Sequence, residues 1–173
     1  MSNYREKLKK INTFIFDYDG VFSDGIVYLT ADGEALRTAN VKYGYALQLA
    51  RKNNYNIAVI SGGYSMSIVK RFENLKLDDI FLGVEKKIDV YIEYLQKKNV
   101  THENVLFMGD DIPDLEIMRV AGVTTCPLDA VAEIKEVAMY ISHLAGGKGC
   151  VRDVVEQVLK LQGKWMNHDA YNW

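Results

Sequence analysis

The residues able to do chemistry gather in a few short clusters. Phe14-Ile15-Phe16-Asp17-Tyr18-Asp19-Gly20-Val21 passes from bulky and branched apolar side chains into two aspartates flanking a tyrosine, then a glycine. In an extended segment residues i and i+2 point the same way, so Asp17 and Asp19 can share one space at a strand's carboxyl end. Two neighbouring carboxylates repel, and keeping them together calls for a cation or a shared proton. Apolar runs also stop at Ser61-Gly62 and at Gly109-Asp110-Asp111. Lys87 sits at the start of a helical stretch, where its charge opposes the helix dipole and so points to another use. Carboxylates, an ammonium and a Ser-Gly loop match the needs of phosphoryl transfer. A hard divalent cation takes oxygen ligands, a hydroxyl and backbone amides hold phosphate oxygens, and a second carboxyl gives the leaving alkoxide its proton. The cation and ammonium neutralise the repulsion between an attacking carboxylate and a phosphate dianion.

Bringing such clusters together requires strands whose carboxyl ends meet. The first strand is expected over 11–17, after a short helix at 4–10. Residues 26–29 and 34–41, joined at Ala31-Asp32-Gly33, read as a β-hairpin that would stand over the acidic strand end as a flap. A helix over 43–53, a strand over 56–60, a helix over 65–74 and a short strand at 81–82 follow. The helix at about 86–98 carries Ile88, Tyr91, Ile92 and Leu95 at the spacing of one buried face. A strand at 105–108 leads to a helix opened by Pro113. A strand at 122–125, a helix around 130–137, a strand near 138–141 and a helix lined by Val151, Val154, Val155, Val158 and Leu159 complete the chain. Strands alternating with helices, several of them apolar throughout, predict an α/β protein: three layers around a doubly wound, mainly parallel sheet. Ligands of such sheets bind outside the carboxyl ends of the strands.

At 173 residues, 49% apolar and 25% charged, the chain suits one soluble domain, expected over 1–163 with a tail at 164–173. A net charge of −2 argues against nucleic acid or an anionic membrane as partner. No stretch approaches the roughly 20 apolar residues of a membrane helix, and the polar, basic first ten residues suggest a cytoplasmic protein. Cys126 and Cys150 lack metal-site spacing and read as buried reduced thiols.

DYDGVFSDG, ISGG, Lys87 and GDDIPD, in this order, resemble the haloacid dehalogenase superfamily of phosphatases. VFSDG, NVKYGYAL, GDDIPDLEIM and AGGKGCVRDV extend the likeness over almost the whole chain to the 3-deoxy-D-manno-octulosonate 8-phosphate phosphatases. The resemblance implies a Mg²⁺-dependent hydrolysis of a sugar-acid phosphate. Asp17 would be the nucleophile that forms an aspartyl-phosphate. Asp19 would protonate the leaving oxygen and then activate water. Asp17, the backbone carbonyl of Asp19 and Asp110 would hold Mg²⁺. Ser61 and Gly62 would bind phosphoryl oxygens, Lys87 would neutralise them, and Asp111 and Asp114 would support the metal or the lysine. The intervals from Gly20 to Ser61 and from Gly62 to Lys87 leave no room for a cap domain. The resemblance therefore implies a homotetramer whose neighbouring subunits close the site. The 26–40 hairpin and the apolar tail residues Trp165, Met166, Tyr171 and Trp173 are the candidates for that contact.

Two positions depart from the family pattern. Tyr43 stands where an aspartate is usual, and Gly63-Tyr64 where an arginine is often found. Arg37, Lys42 and Lys148 are the candidates to serve the substrate's carboxylate instead. A nine-carbon keto-acid phosphate is an alternative substrate, and a non-catalytic subunit binding a sugar phosphate or a partner an alternative role. A phosphoacceptor domain of the receiver type fits poorly, because here the paired aspartates are on the first strand and Lys87 precedes Asp110.

Overall fold

The computed structural model describes residues 3–77 and 79–171. β1 (Thr13–Phe16) is followed by a separate antiparallel hairpin of β2 (Val27–Leu29) and β3 (Ala35–Arg37). β4 (Asn56–Ile60), β5 (Ile80–Phe81), β6 (Val105–Met108), β7 (Val123–Cys126) and β8 (Tyr140–Ile141) then join β1 in one parallel sheet. Its order is β5-β4-β1-β6-β7-β8. The chain winds outward from β1 to β5, then returns to β6 on the other side of β1. The winding therefore reverses between β1 and β6, the place where sheets of this kind bind ligands.

Helices α1 (Tyr4–Leu8), α2 (Val41–Lys52), α3 (Met66–Asn74) and α7 (Cys150–Leu161) pack on one face of the sheet. The other face is covered by α4 (Lys87–Lys98), α5 (Leu115–Met118) and α6 (Ala132–Val137). Alternation along the strands divides the core: Phe14 and Phe16 face the first layer and Ile15 the second. α7 buries the valine and leucine stripe that its spacing predicts. α2 starts where the Asn40 side chain accepts the Lys42 N–H at 3.0 Å.

The buried face of α4 differs from the expected one. Tyr91, Tyr94, Leu95 and Lys87 point inward, Ile88 is only half-buried, and Ile92 is 41% exposed. Tyr94 takes a core position because its hydroxyl reaches Asp79 Oδ2 at 3.3 Å, which satisfies its polar end. The same rotation aims Lys87, the first helical residue, at the carboxyl edge of the sheet.

Among the described residues, the hairpin is the sole strand pair outside the main sheet, and no cap domain is inserted. All of β2 is exposed, with Leu29 at 78%. The tail is docked rather than loose. The Tyr45 hydroxyl donates to Ala170 O at 2.8 Å, and Trp165 packs edge-on to Tyr45 with the Arg152 guanidinium over both rings. Trp165, expected to reach a neighbouring subunit, is thus engaged by its own chain. Met166 and Tyr171 remain exposed, and Trp173 lies outside the described residues.

Candidate active site

β1 lies between β4 and β6, with Phe16 level with Val59 and Met108. The residues following these three strands therefore emerge side by side, and the Asp17 N–H donates to Met108 O at 3.0 Å. They line a cleft of about 400 Å³, with Asp17, Asp19, Ser61, Lys87, Asp110 and Asp111 on its walls. Gly20, at φ +81°, closes the turn beyond β1. A Cβ there would fall 1.9 Å from Asp110 Oδ2, so only glycine lets the two loops meet.

Lys87 is 6% exposed and ties the centre together. Its Nζ lies 2.9 Å from Asp17 Oδ1 and 2.8 Å from Asp114 Oδ1. Asp114 is fully buried, and its other oxygen accepts the Asp110 N–H at 3.1 Å. Asp114 thereby holds Lys87 and the Asp110 backbone at once. Asp111 does not join this set: it is exposed on the cleft wall, and its carboxylate caps its own turn by accepting the Ile112 N–H at 2.7 Å. Ser61 is buried, and its Oγ accepts the Gly63 N–H at 3.2 Å, which shapes the loop that follows β4.

Carboxylate oxygens of Asp17, Asp110 and Asp114 all lie within 4.8 Å of one another. With Lys87 as the ammonium in their midst, three carboxylates leave an excess of negative charge in a buried place. Burial first, then the Asp114 carboxylate, pushes Asp17 well above the ordinary carboxylate range against the pull of Lys87. Asp110 is pushed up by burial, then by Asp17 and Asp114. Among the described residues Asp110 Oδ1 has no hydrogen-bond partner, and Asp17 Oδ1 has the Lys87 ion pair. A buried Asp110 oxygen without a donor, in a cluster short of positive charge, fits a hard divalent cation.

Asp19 has a different partner. Arg37 Nε donates to Asp19 Oδ1 at 2.8 Å and Oδ2 at 3.1 Å, and Nη2 donates to Oδ2 at 3.0 Å. Arg37 Nη1 donates to Ala35 O at 3.0 Å and to Tyr64 O at 3.3 Å. Its side chain is 8% exposed. The guanidinium has few N–H groups left, so Arg37 is not the free substrate anchor the sequence suggests. Lys42 and Lys148 also stand apart: within one chain they line a second cleft of about 510 Å³ beside α7, and Lys148 pairs with Asp24 at 3.4 Å. Tyr43 is buried, its hydroxyl accepting the Gly149 N–H at 2.9 Å and lying 3.7 Å from Cys150 Sγ. That tyrosine works in the packing of α2 against the loop before α7, away from the cleft.

The pattern of haloacid dehalogenase-like hydrolases matches residues 37–127. The 3-deoxy-D-manno-octulosonate 8-phosphate phosphatase KdsC of Salmonella typhi is 34% identical over 158 residues, 91% of this chain and 84% of that protein. The crystal structure of the phosphatase of that name from Yersinia pestis superposes with a TM-score of 0.91 at 30% identity, over 93% of this chain and 87% of that one. The Moraxella catarrhalis phosphatase, solved with magnesium ion, phosphate ion and KDO, gives 0.90 at 29% identity, over 94% of this chain and 93% of that one.

Proposed function

The chain belongs to the haloacid dehalogenase-like hydrolases, among the 3-deoxy-D-manno-octulosonate 8-phosphate phosphatases, and we propose that it is a Mg²⁺-dependent phosphatase of that sugar-acid phosphate. The observation that carries the reading is the buried Lys87 bridging Asp17 and Asp114 while Asp110 Oδ1 lacks a donor. In this reading Asp17 attacks phosphorus through the carboxylate oxygen that Lys87 does not hold, and an aspartyl-phosphate forms. Lys87 offsets charge on the phosphoryl oxygens, and Ser61 with the backbone of Gly62 receives them. Asp19 gives a proton to the leaving sugar oxygen, then takes one from the water that hydrolyses the aspartyl-phosphate. Asp17, Asp110 and the Asp19 carbonyl would hold Mg²⁺, which when bound supplies the positive charge that lets an anion approach a phosphate dianion. Asp114 fixes Lys87 and the Asp110 backbone from behind.

The reading takes 1–163 as one catalytic domain, places it in the cytoplasm, and has it work as a homotetramer. No helix among the described residues is long and apolar enough to cross a membrane. Support for a contact between subunits comes from the hairpin, whose Ile26, Tyr28 and Leu29 are more than half exposed beside an open cleft. Lys42 and Lys148 would then meet substrate only across a subunit boundary.

A panel of phosphate esters with Mg²⁺ tests the reading. The eight-carbon keto-acid phosphate is expected to show the highest kcat/KM, and Asp17→Asn to fold and bind but not turn over. Preference for a nine-carbon keto-acid phosphate would reassign the sugar. Turnover of small generic phosphates alone would refute the sugar-acid assignment, and an active Asp17→Asn protein would refute the nucleophile.

A further inference from the structure

Asp19 is held from the flap. The grip comes from Arg37 on β3, eighteen residues further along the chain, and reaches both carboxylate oxygens. The same guanidinium bonds to Tyr64 O, so one side chain joins the first strand's loop, the hairpin and the loop after β4. Room for it depends on Gly63. A Cβ there would stand 2.7 Å from Arg37 Nη2 and 2.7 Å from Asp19 Oδ2, with no strain in the backbone itself to call for glycine. The Arg37 and Asp19 side chains are more enclosed than exposed, at 8% and 32%. A surface pairing of long side chains would be worth little, but a two-pronged, enclosed one fixes geometry.

We propose that Arg37 is a positioning residue for the second half of the reaction, holding the Asp19 carboxylate where it takes a proton from the water that hydrolyses the aspartyl-phosphate. The two-pronged grip fixes where the Asp19 carboxylate stands over the cleft, and Gly63 leaves the room for it. With a leaving group that needs no proton, removal of Arg37 therefore slows breakdown of the aspartyl-phosphate, which needs a proton taken from water, more than its formation. The flap, which has no cap domain above it among the described residues, contributes to chemistry through this side chain and not as a cover alone.

The inference rests on the phosphatase reading, and p-nitrophenyl phosphate separates the two. Its leaving group needs no proton, so kcat/KM reports formation of the aspartyl-phosphate and kcat reports breakdown once that step is slow. With Mg²⁺, Arg37→Met is expected to release a burst of p-nitrophenolate approaching one per active site. Its kcat and KM should then fall together by about tenfold or more, part of the range that acid–base groups contribute. Arg37→Lys, which keeps the charge but loses the fork, should recover part of the loss. Gly63→Ala, whose methyl displaces the pair while the arginine itself is kept, should show the same burst. The burst amplitude counts competent sites, so partial unfolding is read separately. A loss of kcat/KM with no burst in both variants, or wild-type behaviour in both, overturns the assignment. No p-nitrophenolate from the wild-type protein would refute the phosphatase reading instead.

Discussion

Asp110→Asn should stabilise the metal-free protein while abolishing its response to Mg²⁺. Asparagine is nearly the same size, so it fits beside Gly20, where the Asp110 carboxylate leaves no space for a larger group. The change removes one of three carboxylates whose oxygens lie within 4.8 Å of one another. At that separation and an effective dielectric near 20, each like-charged pair costs about 3 kcal/mol. Asp110 faces two like charges, Asp17 and Asp114, and one opposite charge, Lys87, so about one such pair is left uncompensated. Partial protonation already relieves some of this, which leaves a gain of about 1–3 kcal/mol, or roughly 3–10 °C in Tm for a chain of this length.

The pH dependence has a definite sign. Asp17 and Asp110 are raised to about 7 and about 8, so the folded metal-free protein holds protons that the unfolded chain has released. Stability of the metal-free wild type should therefore fall as pH rises from the ordinary carboxylate range, about 4, to about 8. Asp110→Asn should flatten that slope. Thermal unfolding in EDTA at several pH values, repeated with excess Mg²⁺, reads all of this. Wild type should gain about 2.7 kcal/mol at a hundredfold excess over Kd, most clearly at high pH, and the variant almost nothing. A variant less stable than wild type in EDTA at pH 8, or one still stabilised by Mg²⁺, would refute the account of Asp110 as a metal ligand that weakens the empty fold.

Two further outcomes follow from residues outside the cleft. Tyr43→Phe leaves the Gly149 N–H without its acceptor and should cost about 1–3 kcal/mol in thermal or urea unfolding, with KM for the sugar-acid phosphate nearly unchanged. A large rise in KM at wild-type stability would instead make Tyr43 a substrate contact. Leu29→Lys on the exposed β2 should lower the mass measured by size-exclusion chromatography with light scattering, and lower turnover with it. An unchanged mass would remove the hairpin from the subunit interface.

Much of this site could be read from the chain because its groups sit at strand ends. A parallel ladder in register carries the residues after β1, β4 and β6 to one edge without further information, and apolar runs show where each strand stops. Lys87 was visible as a charge on the wrong end of a helix. Arg37 gave no such signal of its pairing, since a three-residue strand with half-exposed neighbours does not say which way its side chain turns. The face of α4 departs from the expected one for a related reason: hydrophobicity ranks Ile92 above Tyr94, while the hydroxyl contact to the distant Asp79 lets the tyrosine take the core position. Asp111 and Asp114 look alike in GDDIPD, yet one caps a turn in solvent and the other is buried under Lys87.

The same limit governs how Gly63 and Tyr43 are interpreted. Compared position by position with the family pattern, they look like an arginine and an aspartate lost, and hence like a weakened substrate site. In three dimensions each is tied to a contact elsewhere. The Tyr43 hydroxyl accepts the backbone N–H of Gly149, and the side chain is buried away from the cleft walls, so position 43 does not open onto the cleft. A side chain at 63 and the guanidinium of Arg37 compete for one volume, since a Cβ at 63 already comes within 2.7 Å of Nη2. An arginine at 63 would have to push Arg37 off Asp19, so glycine at 63 and arginine at 37 form a single choice. The positive charge beside Asp19 is therefore supplied from the flap, and its presence depends on the hairpin holding its place over the cleft.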